Sequence, residues 1–313
     1  MQIHDAASRY IHWLANARNL SRHSVRAYKG DISIWLLHKG ADTDVSELDI
    51  SSVLTFVEDQ RTKGLAERTI LRRVAALRGF YSWLSEVGLA EIDMQEMRTL
   101  RIRRQRALPR VARRDDLRRL YDHLHASVQG GGSLHAGVRS HPHDAAVLLA
   151  ASLMLATGTR VGETTSIECS NIDLGGASIR VHGKGARDRT VPITDIWLQG
   201  FLAAYLEVRN ELGVTHQYLL FGQSGDPINP AIVRLRLRKA SKAAGLLGHI
   251  TPHMLRHAAA THLLENGVDI RVVQRLLGHA SITTTELYTH VTDVALRQAI
   301  STANVLQRDF HAR

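Results

Sequence analysis

What the chain has little of narrows its reading first. It has one cysteine in 313 residues, Cys169, so no disulfide can form within it. Nothing in the neighbouring sequence pairs that thiol with a base, and it reads as a small buried apolar residue. Aromatic residues are only 5% of the total and prolines number six, while Ala, Leu and Arg abound, which favours helix over strand. Long apolar runs are missing. The longest, residues 145–156, is broken by Ser152 and too short to cross a bilayer. No basic segment followed by an apolar run opens the chain, so a secretory leader is not expected and a cytoplasmic location is. No glycine loop of the GK[ST] type appears, so ATP is not expected. His253 and His257 stand four apart, but without an HE pattern or a third ligand, and neither a metal nor any other cofactor is expected.

What is abundant is positive charge. Lys and Arg total 40 against 30 Asp and Glu, a formal net charge of +10. That balance fits a polyanionic partner, either nucleic acid or an acidic membrane surface. Only six of the cations are lysine. Arginine suits phosphate through its planar fork, although a genome biased toward arginine codons gives the same excess.

A chain of this length favours two domains over one. Residues 1–90 read as four short helices. The first runs from Ile3 to Leu20, the second from its cap at Ser21 to Gly40. The third opens at Asp49 or Ser51 and closes at Gly64, and the fourth covers about Glu67 to Val87. On the fourth, Ile70, Val74, Leu77, Phe80, Tyr81 and Leu84 form a core stripe. Arg68, Arg72, Arg73 and Arg78 lie largely off it, either as a solvated basic face or as a set of phosphate contacts. Residues 91–112 form a basic linker containing Arg103 and Arg104, a strap along DNA or a disordered tether.

Residues 113–313 then read as a second, mostly helical domain. A helix starts at Asp115. Residues 127–143, with three consecutive glycines, read as a flexible surface loop. An apolar helix follows and ends at Gly158, with Arg160 at the next junction. Two short strands, 177–183 and 189–193, flank a glycine-containing hairpin whose tip holds Lys184. Helices are expected over 195–212 and 230–244, with a short strand at 218–222 between them. The stretch from Thr251 to Val291 reads as three consecutive helices, and a tail helix covers about 292–307. Thr251 caps the first of the three, with Pro252 at its first position. Val272, Val273, Leu276 and Leu277 give the second its apolar face, and the third, from Ser281, carries Tyr288. That stretch alone supplies two imidazoles, a guanidinium and a phenol, groups that suit attack on a phosphate.

Taken in order, TGTRVGE, HGKGARDRTVPI, TPHMLRHAAATHLLENG and LLGHASITTTELYTHV resemble the signature boxes of the tyrosine recombinase (phage integrase) family. LSRHSVRAYKGDISIWL and ERTILRRVAALRGFYSWL resemble its N-terminal core-binding domain, and the likeness covers nearly the whole chain. It is closest to the Xer-type and simple integrase branch. The resemblance implies a mainly α protein, with a four-helix core-binding (SAM-like) domain and a mixed, mostly helical catalytic domain holding a small β-sheet. It implies cleavage and rejoining of double-stranded DNA at a specific site, through a 3′-phosphotyrosyl bond and a Holliday junction.

The resemblance also assigns roles. Tyr288 would be the nucleophile. Arg160 and Arg256 would grip the scissile phosphate, with His279 as a further donor. His253 would manage the tyrosine proton and Lys184 would protonate the departing 5′-oxygen. Glu163, three after Arg160, is expected to orient Arg160 or a neighbouring amide. His257 is expected on a different side of its helix from His253, holding the site. A homotetramer on DNA is implied, or a heterotetramer with a paralogue, with accessory proteins left open. The tail would pack on a neighbouring protomer or fold back on its own domain. Two other readings share much of this chemistry. A type IB topoisomerase would relax DNA without a site, and a non-catalytic regulator would bind a site without cutting.

Overall fold

Ser21 accepts a hydrogen bond from the amide of Ser24 at 3.2 Å, and Asp49 accepts one from Ser52 at 2.9 Å. These side chains satisfy amides that the first turn of a helix leaves unpaired, and so mark where two helices begin. The computed structural model describes residues 1–99, 112–129, 132–183, 188–278, 293–304 and 306–307. It divides the chain into two units, Met1–Leu108 and Pro109–Arg313.

In the first unit α1 spans Ile3–Asn16, α2 Arg22–Lys39, α3 Ile50–Thr62, α4 Glu67–Glu86 and α5 Met94–Thr99. The expected stripe of α4 is buried throughout, and Trp35, Tyr10, Phe56, Phe80 and Tyr81 fill the centre. Trp35 meets Tyr81 edge-on with ring centres 5.6 Å apart, a favoured aromatic geometry. Helix α5 was not expected. Met97 is fully buried in the first unit's core, and Ile92 and Met94 pack against it, so these apolar residues hold in the unit a stretch expected to be linker.

In the second unit α6 spans Arg114–Gln129, α7 Leu134–Ser140, α8 Pro142–Thr157 and α9 Val161–Thr165. The strands β1 Ile172–Asp173, β2 Ser178–His182 and β3 Asp188–Pro192 form an antiparallel sheet in that order. There follow α10 Ile196–Glu211, α11 Pro230–Ala243, α12 Pro252–Glu265, α13 Ile270–Leu277 and α14 Asp293–Ala303. Helix α8 is apolar around its whole circumference, so it must be surrounded. Helices α6, α7, α9, α10, α11 and α12 all pack on it. No described helix is long and apolar enough to cross a membrane.

Two expectations change here. Residues 127–143 are not one surface loop. Residues 127–129 end α6, and Ser133 caps α7, on which Val138 is fully buried. Gly137 lies so close to the Val128 carbonyl that any Cβ would overlap it, so packing rather than flexibility explains that glycine. Residues 219–222 are buried, but the stretch 218–222 makes only isolated bridges, Glu168 with Tyr218 and Phe221 with Pro227, instead of a strand of the sheet. Of the two packings left open for the tail, helix α14 takes the one on its own unit. Leu296, Ile300 and Leu306 are buried, and Arg297 Nη2 donates to the Gly176 carbonyl at 2.7 Å.

Candidate active site

The site is built where α8 stops. Gly158 closes that helix in the left-handed region, at φ +63°, which only glycine adopts without strain. Two residues on, Arg160 caps α9. Glu163 reaches back from the third position of that helix and accepts from the Arg160 amide at 2.9 Å. Its other oxygen accepts from Arg160 Nη1 at 2.7 Å. The pairing of cap and third position is local chemistry, written in the sequence three residues apart.

Two more guanidiniums arrive from far along the chain. Arg189 on β3 donates from Nη2 to Glu163 Oε2 at 2.8 Å and from Nε to the Leu276 carbonyl at 2.8 Å. Arg256 on α12 donates from Nη1 to the Gly158 carbonyl at 2.7 Å and from Nη2 to the Leu277 carbonyl at 2.8 Å. Its Nη1 also lies 4.0 Å from Glu163. Three guanidiniums thus surround one carboxylate, and three positive charges less one leave an excess of two. Such a place attracts an anion with several oxygens.

The electrostatics agree. Burial alone pushes the Glu163 carboxyl up. The hydrogen bond from Arg189 and those from Arg160 outweigh it, so the net shift is downward and the group is ionised at neutral pH. Arg256 is pushed down to about 10, first by burial and then by the charge of Arg160, and stays a cation at neutral pH. The Arg160 side chain is 44% exposed and Arg256 only 8%. Arg160 therefore faces solvent while Arg256 is set into the wall.

His253 lies in the first turn of α12, where Thr251 accepts from the Met254 amide at 3.3 Å. His253 is exposed, and so is His257 one turn on. The expectation that His257 faces a different side from His253 is corrected: a spacing of four keeps two residues on one face. Lys184, His279 and Tyr288 lie outside the described residues, as do Arg103, Arg104 and the expected helix from Ser281. Among the described residues no group of three His, Cys, Asp or Glu could hold a metal ion.

The arginines of α4 are not four open cations. Arg72 Nη1 pairs with Asp31 Oδ2 at 2.5 Å, and Arg73 lies 3.9 Å from the same carboxylate and bonds Gln60. Arg73 is only 12% exposed and Arg78 is half-buried, while Arg68 and Arg72 are exposed. The acid comes from α2, which a reading of α4 alone does not see. In the second unit α11 exposes Arg234, Arg238, Lys239 and Lys242, a basic surface that sequence reading passed over. Arg189 was passed over as well. A period-two reading of β3 puts it on the side of Val191, which is buried, and an inward arginine on a strand is a signal.

Comparison with known proteins agrees with this architecture. Residues 110–294 match the model of the phage integrase family, and residues 7–88 match the phage integrase N-terminal SAM-like domain. The chain is 34% identical over 290 residues to a tyrosine recombinase XerC of Mycobacterium sp. (strain JLS), covering 91% of this chain and 93% of that one. It is 32% identical over 307 residues to a tyrosine recombinase XerC of Rhodospirillum centenum (strain ATCC 51521 / SW), covering 96% and 86%. In fold it is similar to a lambda integrase(75-356) dimer bound to a COC′ core site, with a TM-score of 0.70, 18% identity and coverage of 93% and 100%. It is also similar to a XerH site-specific recombinase bound to difH substrate, with a TM-score of 0.64, 22% identity and coverage of 94% and 83%. With both domains matched in order and relatives aligned over nearly their full length, the chain belongs to the phage integrase family of tyrosine recombinases.

Proposed function

We propose that this chain cuts and rejoins double-stranded DNA at a specific site, with Tyr288 as nucleophile. The observation that carries the reading is the meeting of Arg160 and Arg256. Arg256 bonds the carbonyl of Gly158, two residues before Arg160, and both guanidiniums lie on Glu163. Fixed guanidinium forks meet the charge that gathers on a pentacoordinate phosphate without reorganising, and losing one such donor costs roughly 3 kcal/mol in the transition state.

Around that pair the remaining roles are those that the family resemblance implies. The Tyr288 oxygen attacks phosphorus, and the bond to the 5′-oxygen breaks. A phenol titrates near ~10, so it needs a base at neutral pH, and His253 receives its proton. The departing 5′-oxygen takes a proton from Lys184. His279 adds a donor to the phosphate. The phosphotyrosyl bond keeps the energy of the phosphodiester, so the reverse step needs no ATP. Exposed cations on both units, Arg68 and Arg72 on α4 and Arg234, Arg238 and Lys239 on α11, supply contacts to the DNA backbone. Four copies, or pairs with a paralogue, act together in the cytoplasm and exchange strands through a Holliday junction. Integration of a mobile element and resolution of chromosome dimers both use this chemistry.

The test begins with a library of nicked suicide duplexes of random sequence. Covalent protein–DNA adducts are recovered under denaturing conditions, and the trapped sequence defines the site. Tyr288→Phe should abolish the adduct and leave affinity for that duplex nearly unchanged. An adduct that persists in Tyr288→Phe overturns the assignment. Tight binding to one sequence with no adduct on any duplex points instead to a regulator.

A further inference from the structure

We propose that Arg189 is a positioning residue for strand cleavage, locking the Arg160–Glu163 pair to the end of α13; the inference rests on the recombinase reading. Arg189 is the second residue of β3, and its one guanidinium serves two acceptors on two other elements. Nη2 holds Glu163 Oε2 at 2.8 Å, and Nε holds the Leu276 carbonyl at 2.8 Å. Glu163 in turn holds both the amide and the Nη1 of Arg160. The Leu276 carbonyl lies three residues before His279 in the sequence, at the C-terminal end of α13.

The geometry asks for a flat fork. The Arg189 side chain is 13% exposed, so little water competes for its donors. Gly278 follows the α13 end at φ +62°, and a Cβ there would sit 3.1 Å from Arg189 Nη1. The guanidinium is thus enclosed by Glu163, the Leu276 carbonyl and the Gly278 backbone. A lysine would keep the charge, but its tetrahedral ammonium on a flexible stem cannot reproduce the planar span between Glu163 and Leu276. Glu163 would then keep a counter-ion and lose its fixed direction. Arg160, which is far more exposed and owes its direction to Glu163, would lose its aim. A misplacement of reacting groups by about 1 Å costs roughly 100-fold in rate.

The experiment uses the full-length protein and the nicked duplex selected by wild-type adduct formation. Single-turnover adduct formation, duplex affinity and thermal unfolding are measured for wild type, Arg189→Lys, Arg160→Lys and the double variant. Arg189→Lys is expected to lower the cleavage rate roughly 100-fold while affinity stays close to wild type, and the lost bond to the Leu276 carbonyl lowers the unfolding midpoint only modestly, leaving the protein folded at the assay temperature. In the Arg160→Lys background the same change should lower the rate by less than about threefold, because the group through which Arg189 acts is already lost. A full loss in both backgrounds overturns the proposal, as does a rate close to wild type in Arg189→Lys. A rate loss that follows weakened affinity, or a variant no longer folded at the assay temperature, also overturns it, since Arg189 would then be merely structural. A wild-type protein that forms no adduct on any duplex overturns the recombinase reading itself, and is seen before any Arg189 variant is made.

Discussion

The carbonyls of Gly158 and Leu277 are joined by a single guanidinium, Arg256, at 2.7 and 2.8 Å. One ends α8 and the other lies at the end of α13, and the two residues also touch directly. The start of one signature box is thereby tied to the start of another, and the tie is made by a side chain also expected to hold phosphate.

Arg256→Ala should therefore cost stability as well as activity. Two carbonyls lose charged donors in a buried place, and the fold should lose about 2–4 kcal/mol. Adduct formation should fall by roughly 100- to 1,000-fold. Denaturant titration and single-turnover cleavage measure the two losses separately. An unchanged unfolding midpoint would show that the carbonyl bonds carry no weight in the fold.

Gly158→Ala attacks the same junction from the backbone. The residue sits at φ +63°, and a Cβ there would overlap Leu277 Cδ2. The expected cost is about 2 kcal/mol or more, from left-handed strain and overlap together. Thermal unfolding should show it. Gly162→Ala, whose Cβ meets nothing within 4 Å, is the control and should lie much closer to wild type.

The pH dependence of the site has a definite sign. The folded protein holds the Glu163 carboxyl below its ordinary value of 4.5. Its stabilising contribution is fully present above that value and is lost as pH falls through the lower folded one. Wild type should unfold at a higher temperature than Glu163→Gln at pH 7, and the gap should narrow toward pH 3. A gap independent of pH would mean that the charge of Glu163 does not stabilise the fold.

Asp31 restrains the basic face of α4. Burial pushes its carboxyl up and the charges of Arg72 and Arg73 pull it only part of the way back. Asp31→Asn keeps the shape and removes the charge that engages Arg72. Affinity for a random duplex should rise, and the log–log salt slope should steepen by about 1. Fluorescence anisotropy across a salt series checks this, and an unchanged slope would place Arg72 away from phosphate.

Most of the helices were legible because their signals are local. Ser21, Asp49 and Thr251 cap where expected, Gly40, Gly158 and Gly278 follow helix ends, and the stripes of α4 and α13 are buried as their spacing predicts. The misses have a common cause. Residues 127–143 looked loose because of three glycines, but burial of Val138 makes part of them a helix. Met97 does the same for α5. Residues 218–222 have the composition of a strand and the burial of one, yet no neighbour for a full ladder. In each case the deciding partner lies elsewhere in the chain.

By itself the sequence determined the family, the mostly helical two-domain class and the reach of Glu163 back toward Arg160 or a neighbouring amide. Those rest on ordered motifs and on contacts three or four residues apart, which a helix fixes without outside help. Only the tertiary structure decided that Arg189 and Arg256 converge on Glu163, that Asp31 engages the arginines of α4, and that α14 lies on its own unit. Those contacts join residues far apart along the chain. Their geometry follows from how the elements of each unit close around that unit's own core, which no local spacing encodes.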